Sequence, residues 1–151
     1  MTNFNNINDV LDFAIGEEQA AMDFYLQLAD KSKNEHIKQI FREFAEEEMK
    51  HKAKLLDVKV NGSAVFGPAR VMDLKISDYL VDVKPSADMA YEEALILAMK
   101  KEKAAFRLYT ALADRMEQPD MQEMFRHLAM EESKHKMRFE IEYDDYVLRE
   151  N

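Results

Sequence analysis

Four stretches of this chain carry apolar residues every three or four positions, and each stripe is broken near its middle by a buried-side glutamate. Such spacing places all members of a stripe on one face of a helix. The first stripe reads Ile7, Leu11, Ala14, Glu18, Met22, Tyr25, Leu28, and the second Ile37, Phe41, Phe44, Glu48, His51, Leu55. The third reads Tyr91, Leu95, Ala98, Glu102, Phe106, Tyr109, Leu112, and the fourth Met121, Phe125, Leu128, Glu132, His135, Phe139. Four one-faced helices bury their stripes most simply against one another, so the expectation is an all-α four-helix bundle.

The punctuation sets the boundaries. Helices are expected over about 7–31, 35–57, 87–117 and 120–148, with Asn34 capping the second, Pro85-Ser86 opening the third, and Gln118-Pro119-Asp120 starting the fourth. The first and third joints are a few residues long and join antiparallel neighbours. The connection over about 58–85 holds two of the three prolines and two of the three glycines. It is long enough to travel the length of a helix, and a short helix is expected near Val71 to Leu80. The topology is then two helical hairpins joined by a long crossover, all within a single domain over 1–151.

The chain also repeats. A shift of 84 positions lays Ala14, Glu18, Ala21, Tyr25 and Leu28 on Ala98, Glu102, Ala105, Tyr109 and Leu112. The same shift lays Phe41, Glu47-Glu48 and His51 on Phe125, Glu131-Glu132 and His135 without a gap. A duplicated hairpin of this kind should pack about a pseudo-twofold axis.

That symmetry brings Glu18, Glu48, His51, Glu102, Glu132 and His135 to one level of the core. A lone buried carboxylate costs several kcal/mol, on the order of what a fold can spare, and four together also repel one another. Two divalent cations offset the four negative charges, and Glu and His three apart project from one helix face toward the same centre. The competing reading is two metal-free Glu–His ion pairs. Tyr25 and Tyr109, two turns from Glu18 and Glu102, either donate hydrogen bonds to carboxylates across the bundle or fill core space. Glu47 and Glu131 lie off the stripes and are expected to be solvated or in interhelical salt bridges, with support of the neighbouring candidate ligands as the alternative, and His36 and His127 on polar flanks are expected to be solvated. The eleven methionines are expected mainly to fill core gaps, and the charge-rich stretch after Phe139 to form an outer helix face.

Composition removes several classes. No cysteine is present, which excludes disulfides, thiolate catalysis and iron–sulfur ligation. A net charge of −9 opposes nucleic-acid binding, which needs a basic face. The start of the chain is polar, and no apolar run approaches the length of a membrane span. A cytoplasmic protein, with no membrane or nucleic-acid partner, is the expectation.

The segments Glu18 to Tyr25, Ala45-Glu-Glu-Glu-Met-Lys-His51, Glu102 to Tyr109 and Glu131-Glu-Ser-Lys-His135 resemble the rubrerythrin branch of the ferritin-like superfamily. The likeness runs along nearly the whole chain. It implies a ferritin-like bundle holding two iron ions, with Glu48 and Glu132 bridging them, Glu18 and His51 completing one shell, and Glu102 and His135 the other. Carboxylates with one imidazole per metal suit Fe(II), with Mn(II) possible on the same chemistry. The implied activity is reduction of peroxide or O2 by an oxidoreductase that draws electrons from an external donor such as a rubredoxin or a flavin reductase, in the manner of proteins that counter oxidative stress. A ferroxidase for iron storage or buffering, and a metal-stabilised structural or regulatory module, are the alternatives. A homodimer is common in such families. Two departures from the rubrerythrin pattern stand out: no rubredoxin domain lies within these residues, and Ala105, with Ala21 as its counterpart, stands where rubrerythrins place a further carboxylate.

Overall fold

The structure, a computed structural model, describes residues 4, 6–61, 74–81, 83–86 and 88–150, with the side chain of residue 150 excepted. Four long helices follow in order: α1 (Ile7–Lys31), α2 (Glu35–Asn61), α3 (Tyr91–Arg115) and α4 (Pro119–Glu150). Among the described residues the one other helix is a short 3-10 turn, Ile76–Asp78. It falls within the stretch expected to hold a short helix; residues 71–73 of that stretch lie outside the described residues.

Local chemistry explains three of the four helix starts. Asn6 Oδ1 accepts from the Asp9 amide at 3.0 Å and starts α1, and Asn34 Oδ1 accepts from the Ile37 amide at 3.1 Å and starts α2. Each satisfies an amide that has no partner inside its helix. Pro119 opens α4, where a missing N–H costs nothing. Replacing Asn34 by Ala should destabilise the fold by about 1 kcal/mol, and replacing it by Gly by only a few tenths. Urea denaturation at constant m would show this; equal losses for the two variants would argue against the cap.

Two ends differ from the sequence expectation. α2 continues a turn beyond Asp57, because Val58 is buried in the core and holds the next turn down. α3 starts at Tyr91 instead of near Pro85-Ser86. The Met89 amide closes a turn on the Ser86 carbonyl at 3.2 Å, and Ala90 is then extended, at φ −65° and ψ 151°. Residue 87, the expected start, lies outside the described residues.

The apolar core comes in two layers. One gathers Val10, Leu11 and Ala14 of α1, Leu55 and Val58 of α2, Leu108, Tyr109 and Leu112 of α3, and Phe125 and Leu128 of α4. The other gathers Phe24, Tyr25 and Leu28 of α1, Ile37, Phe41 and Ala45 of α2, Ala94, Leu95 and Ala98 of α3, and Phe139 of α4. The start of α1 therefore shares a layer with the end of α3, and the end of α2 with the start of α4, so both pairs are antiparallel. α1 packs chiefly on α2 and α3 on α4, with α1 also touching α3. α2 ends in the first layer and α3 begins in the second, so these two helices run parallel. Leu74 and Tyr79 of the connection between them pack in the first layer and Val81 against the second.

Two side chains depart from their expected places. Phe106 is 39% exposed; from Glu102 the inward step is three residues, to Ala105, which packs against the core, and the fourth residue turns outward. The stretch after Phe139 is not wholly an outer face, since Glu142 is 2% exposed and accepts from the Tyr91 hydroxyl at 2.6 Å. Burial and the facing Glu142 carboxylate raise the Tyr91 pKa. Among the described methionines, Met116 is buried and Met22, Met89, Met99, Met121 and Met124 pack against the core as expected, whereas Met49, Met130 and Met137 are more than half exposed.

Candidate metal centre

Between the two apolar layers lies one polar level. Glu18 of α1, Glu48 and His51 of α2, Glu102 of α3, and Glu132 and His135 of α4 are each at most 6% exposed. Glu–His spacing of three on α2 and α4 turns both side chains inward on successive turns, and the antiparallel pairing sets the two hairpins face to face.

The six residues form two overlapping groups. Glu18, Glu48, His51 and Glu132 present one ligand atom each within 4.8 Å of one another, and so do Glu48, Glu102, Glu132 and His135. Glu48 and Glu132 belong to both groups. His51 Nδ1 lies 2.8 Å from Glu132 Oε1, 3.5 Å from Glu18 Oε2 and 3.7 Å from Glu48 Oε1. His135 Nδ1 lies 2.9 Å from Glu48 Oε1 and 3.7 Å from Glu102 Oε2. The two imidazoles face each other nearly parallel, centroids 6.4 Å apart.

Within this level, several polar atoms are buried without a hydrogen bond: Glu18 Oε2, both oxygens of Glu48, Glu102 Oε2 and His135 Nδ1. His135 Nδ1 is near Glu48 Oε1, but not aligned with it for a hydrogen bond. Lone pairs that converge on common points instead of on donors are what a cation requires, and orphaned buried polar atoms are otherwise rare. The donor set, oxygen-rich with one imidazole per group, fits Fe(II) or Mn(II) coordination.

Without a cation the level is held by shared protons. Burial raises Glu18, Glu48 and Glu102, and the negative charge of Glu132 adds to each. Burial also pushes Glu132 up, but hydrogen bonds from His51 and Glu102 and the charge of both imidazoles outweigh it and bring its pKa to about 2. For His51, burial disfavours the charged ring, yet the hydrogen bond to Glu132 and the nearby Glu18 carboxylate carry its pKa to about 9. His135 is raised further against the same burial cost, by Glu102, Glu47 and Glu48. The His51–Glu132 contact is thus a charged pair. Glu48 beside His135 remains raised, because desolvation and two neighbouring carboxylates exceed the help of one imidazole.

The surrounding residues are less symmetric than the repeat. Tyr109 donates its hydroxyl to Glu18 Oε1 at 2.6 Å, while the Tyr25 hydroxyl is buried without a hydrogen-bond partner and its ring sits edge-on to His135. Glu47 follows the alternative reading, a carboxylate set against a candidate ligand, and places Oε2 2.6 Å from His135 Nε2. That hydrogen bond lowers its pKa despite partial burial. Glu131 pairs within its own helix instead of between helices, lying 3.4 Å from His127 and 3.7 Å from Lys134. His36 and His127 are exposed. Phe44 stacks on the His135 ring at 4.1 Å.

A cavity of about 30 Å³ adjoins the level, touching Glu18, Glu48, Glu102 and Glu132. Ala21 and Ala105 help to wall it, and Glu17 and Lys101 also line it. Small side chains at 21 and 105 leave this space open. A water needs roughly 10–15 Å³ measured in this way, so the cavity admits molecules of the size of water, O2 or H2O2. Glu17 and Lys101 carry no sequence signal that would have selected them, because both lie off the apolar stripes.

Comparisons with known proteins agree with this geometry. A hypothetical protein from Pyrococcus furiosus is 28% identical, with a TM-score of 0.76 over 93% of this chain and 89% of its own. A Thermotoga maritima protein described as ferritin-like and diiron-carboxylate superposes with a TM-score of 0.78 at 22% identity, over 97% of this chain and 99% of its own. The second likeness shows a shared ferritin-like fold. No curated protein matches the sequence. No helix among the described residues is long and apolar enough to cross a membrane. The rubrerythrin family model matches residues 9–65 and 93–151, segments that carry all six inward-facing glutamates and histidines, and the chain accordingly belongs to the rubrerythrin family.

Proposed function

We propose that the protein is a di-iron oxidoreductase that reduces hydrogen peroxide or O2 with electrons from a separate donor. The observation that carries the reading is the pair of overlapping ligand groups sharing Glu48 and Glu132, set against a cavity large enough only for very small molecules. Glu18 and His51 would hold one ion, Glu102 and His135 the other, and the two shared glutamates would bridge them. With iron in both halves the centre supplies two electrons at once, the number that takes hydrogen peroxide to two waters.

The chain's own residues have definable parts in this. Burial of all six ligands keeps bulk water from the centre, and Ala21 and Ala105 keep the adjoining space open to a small oxidant. Tyr109 fixes the orientation of Glu18 through its hydroxyl, and Glu47 fixes the ring of His135. The cations must displace the protons held by Glu18, Glu48, Glu102 and the two imidazoles, so loading releases protons. These residues include no cysteine and so supply no thiolate-bound relay of their own, which is why a separate reductant is part of the reading.

The test is a mixing experiment. Metal analysis of protein purified without added metal should find iron at about two per chain. The reduced protein mixed anaerobically with hydrogen peroxide should consume about one equivalent per chain and stop, and consumption should resume on addition of a rubredoxin or a flavin reductase with its reductant. Sustained O2 consumption driven by Fe(II) alone, with tens of irons accumulating per chain, would establish iron storage in its place.

A further inference from the structure

The 84-residue repeat makes the two halves of the centre equivalent in sequence, yet the surroundings of the halves differ in a consistent direction. In the half formed by Glu102 and His135, Glu47 Oε2 lies 2.6 Å from His135 Nε2. A carboxylate can only accept there, so Nε2 carries the hydrogen and Nδ1 faces the centre, 2.9 Å from Glu48 and 3.7 Å from Glu102. The ring is further fixed by Phe44 stacked on it at 4.1 Å. A carboxylate on the far nitrogen orients an imidazole ligand and raises its basicity.

The half formed by Glu18 and His51 is built otherwise. Glu131, which the repeat equates with Glu47, lies against His127 and Lys134 on its own helix. The support here goes to the carboxylate: Tyr109 donates to Glu18 Oε1 at 2.6 Å. Its counterpart Tyr25 makes no such bond to Glu102, since its hydroxyl has no partner. A hydrogen bond donated to Glu18 draws charge away from that ligand, whereas the contact from Glu47 adds charge to His135. Both differences favour the same half.

We infer that Glu47 is a positioning residue that makes the two metal subsites unequal, so that the Glu102–His135 subsite binds a divalent cation more tightly and fills first. The inference rests on the metal-binding reading above. Glu47 acts through the His135 ring and does not line the cavity. Its side chain is 43% exposed, so truncating it leaves no hole in the core.

The probe is Co²⁺ alone, added to the metal-free full chain and followed by calorimetry and by visible absorption. Wild-type protein should bind two ions in two resolved steps. Glu47→Ala should weaken the tighter step by about 10–100-fold, the cost typical of losing such a supporting contact, and leave the other step in place. Glu47→Gln keeps an acceptor for Nε2–H without the charge and should recover part of the loss. Glu131→Ala should change neither step. The absorption spectrum that shifts in Glu47→Ala should be the one lost in His135→Ala, and combining those two substitutions should cost little more than His135→Ala alone. Two equal steps in the wild type, or a Glu47→Ala variant that matches it or weakens both steps alike, would overturn the inference while leaving a two-ion centre intact. Failure of Co²⁺ to bind anywhere would overturn the metal reading, and the inequality with it.

Discussion

Glu48→Ala is expected to abolish binding of both ions, whereas Glu18→Ala should abolish only one. Glu48 belongs to both ligand groups, with Oε1 3.7 Å from the Nδ1 of His51 and 2.9 Å from that of His135. Glu18 belongs to one group only, and its removal leaves Glu48, Glu102, Glu132 and His135 in place. The effect on each ion should exceed the roughly 10–100-fold that follows loss of a merely supporting contact, because a direct anionic ligand is gone. Glu132→Ala should behave like Glu48→Ala, and Glu102→Ala like Glu18→Ala. Bound metal per chain after gel filtration measures this directly: near zero for the first pair and near one for the second. If Glu48→Ala still retains one tightly bound ion, the bridging role is wrong.

Chelation should lower the melting temperature, and the drop should widen as pH rises from about 6 to 9. A cation bound only by the folded chain stabilises it by about 4.1 kcal/mol at a thousand times its dissociation constant. For a chain of this size each kcal/mol is worth about 2–4 °C, so a shift on the order of 10 °C is expected. The pH trend follows from opposite responses of the two forms. In the metal-free protein His51 has a pKa of about 9 against an ordinary 6.5, so its contribution is complete below 6.5 and is lost as pH climbs through 9. Glu18, Glu48 and Glu102 are raised as well, and each costs stability as it ionises inside the fold. Glu132, lowered to about 2, contributes fully above 4.5 and does not oppose the trend. The metal-loaded form runs the other way, because protons compete with cations for the same ligands and binding strengthens as they leave. Paired thermal melts with and without chelator across this range test it. A melting temperature indifferent to chelator would favour the metal-free ion pairs, and a gap that narrows with rising pH would contradict the proton competition.

The helices and the six inward residues were decided by the sequence itself. An apolar period of three to four fixes which face of each helix is buried, and an interruption by glutamate is visible because it is expensive: a charge in that stripe must be matched by something. The same period placed Glu18, Glu48, His51, Glu102, Glu132 and His135 at one level once the hairpins were paired. What periodicity does not set is the rotation and offset of neighbouring helices at a scale below one turn, and the side-chain departures arise there. That offset decides that Phe106 turns outward and Ala105 inward, and that Glu142 meets Tyr91 instead of solvent. It carries Glu47 across to His135 while its counterpart Glu131 stays with His127 and Lys134, and it gives Glu18 a tyrosine donor that Glu102 lacks. A repeated sequence specifies two like halves, but close packing admits only one arrangement of side chains at the shared interface. The symmetry is broken by contacts a few ångströms long, which only the assembled bundle contains.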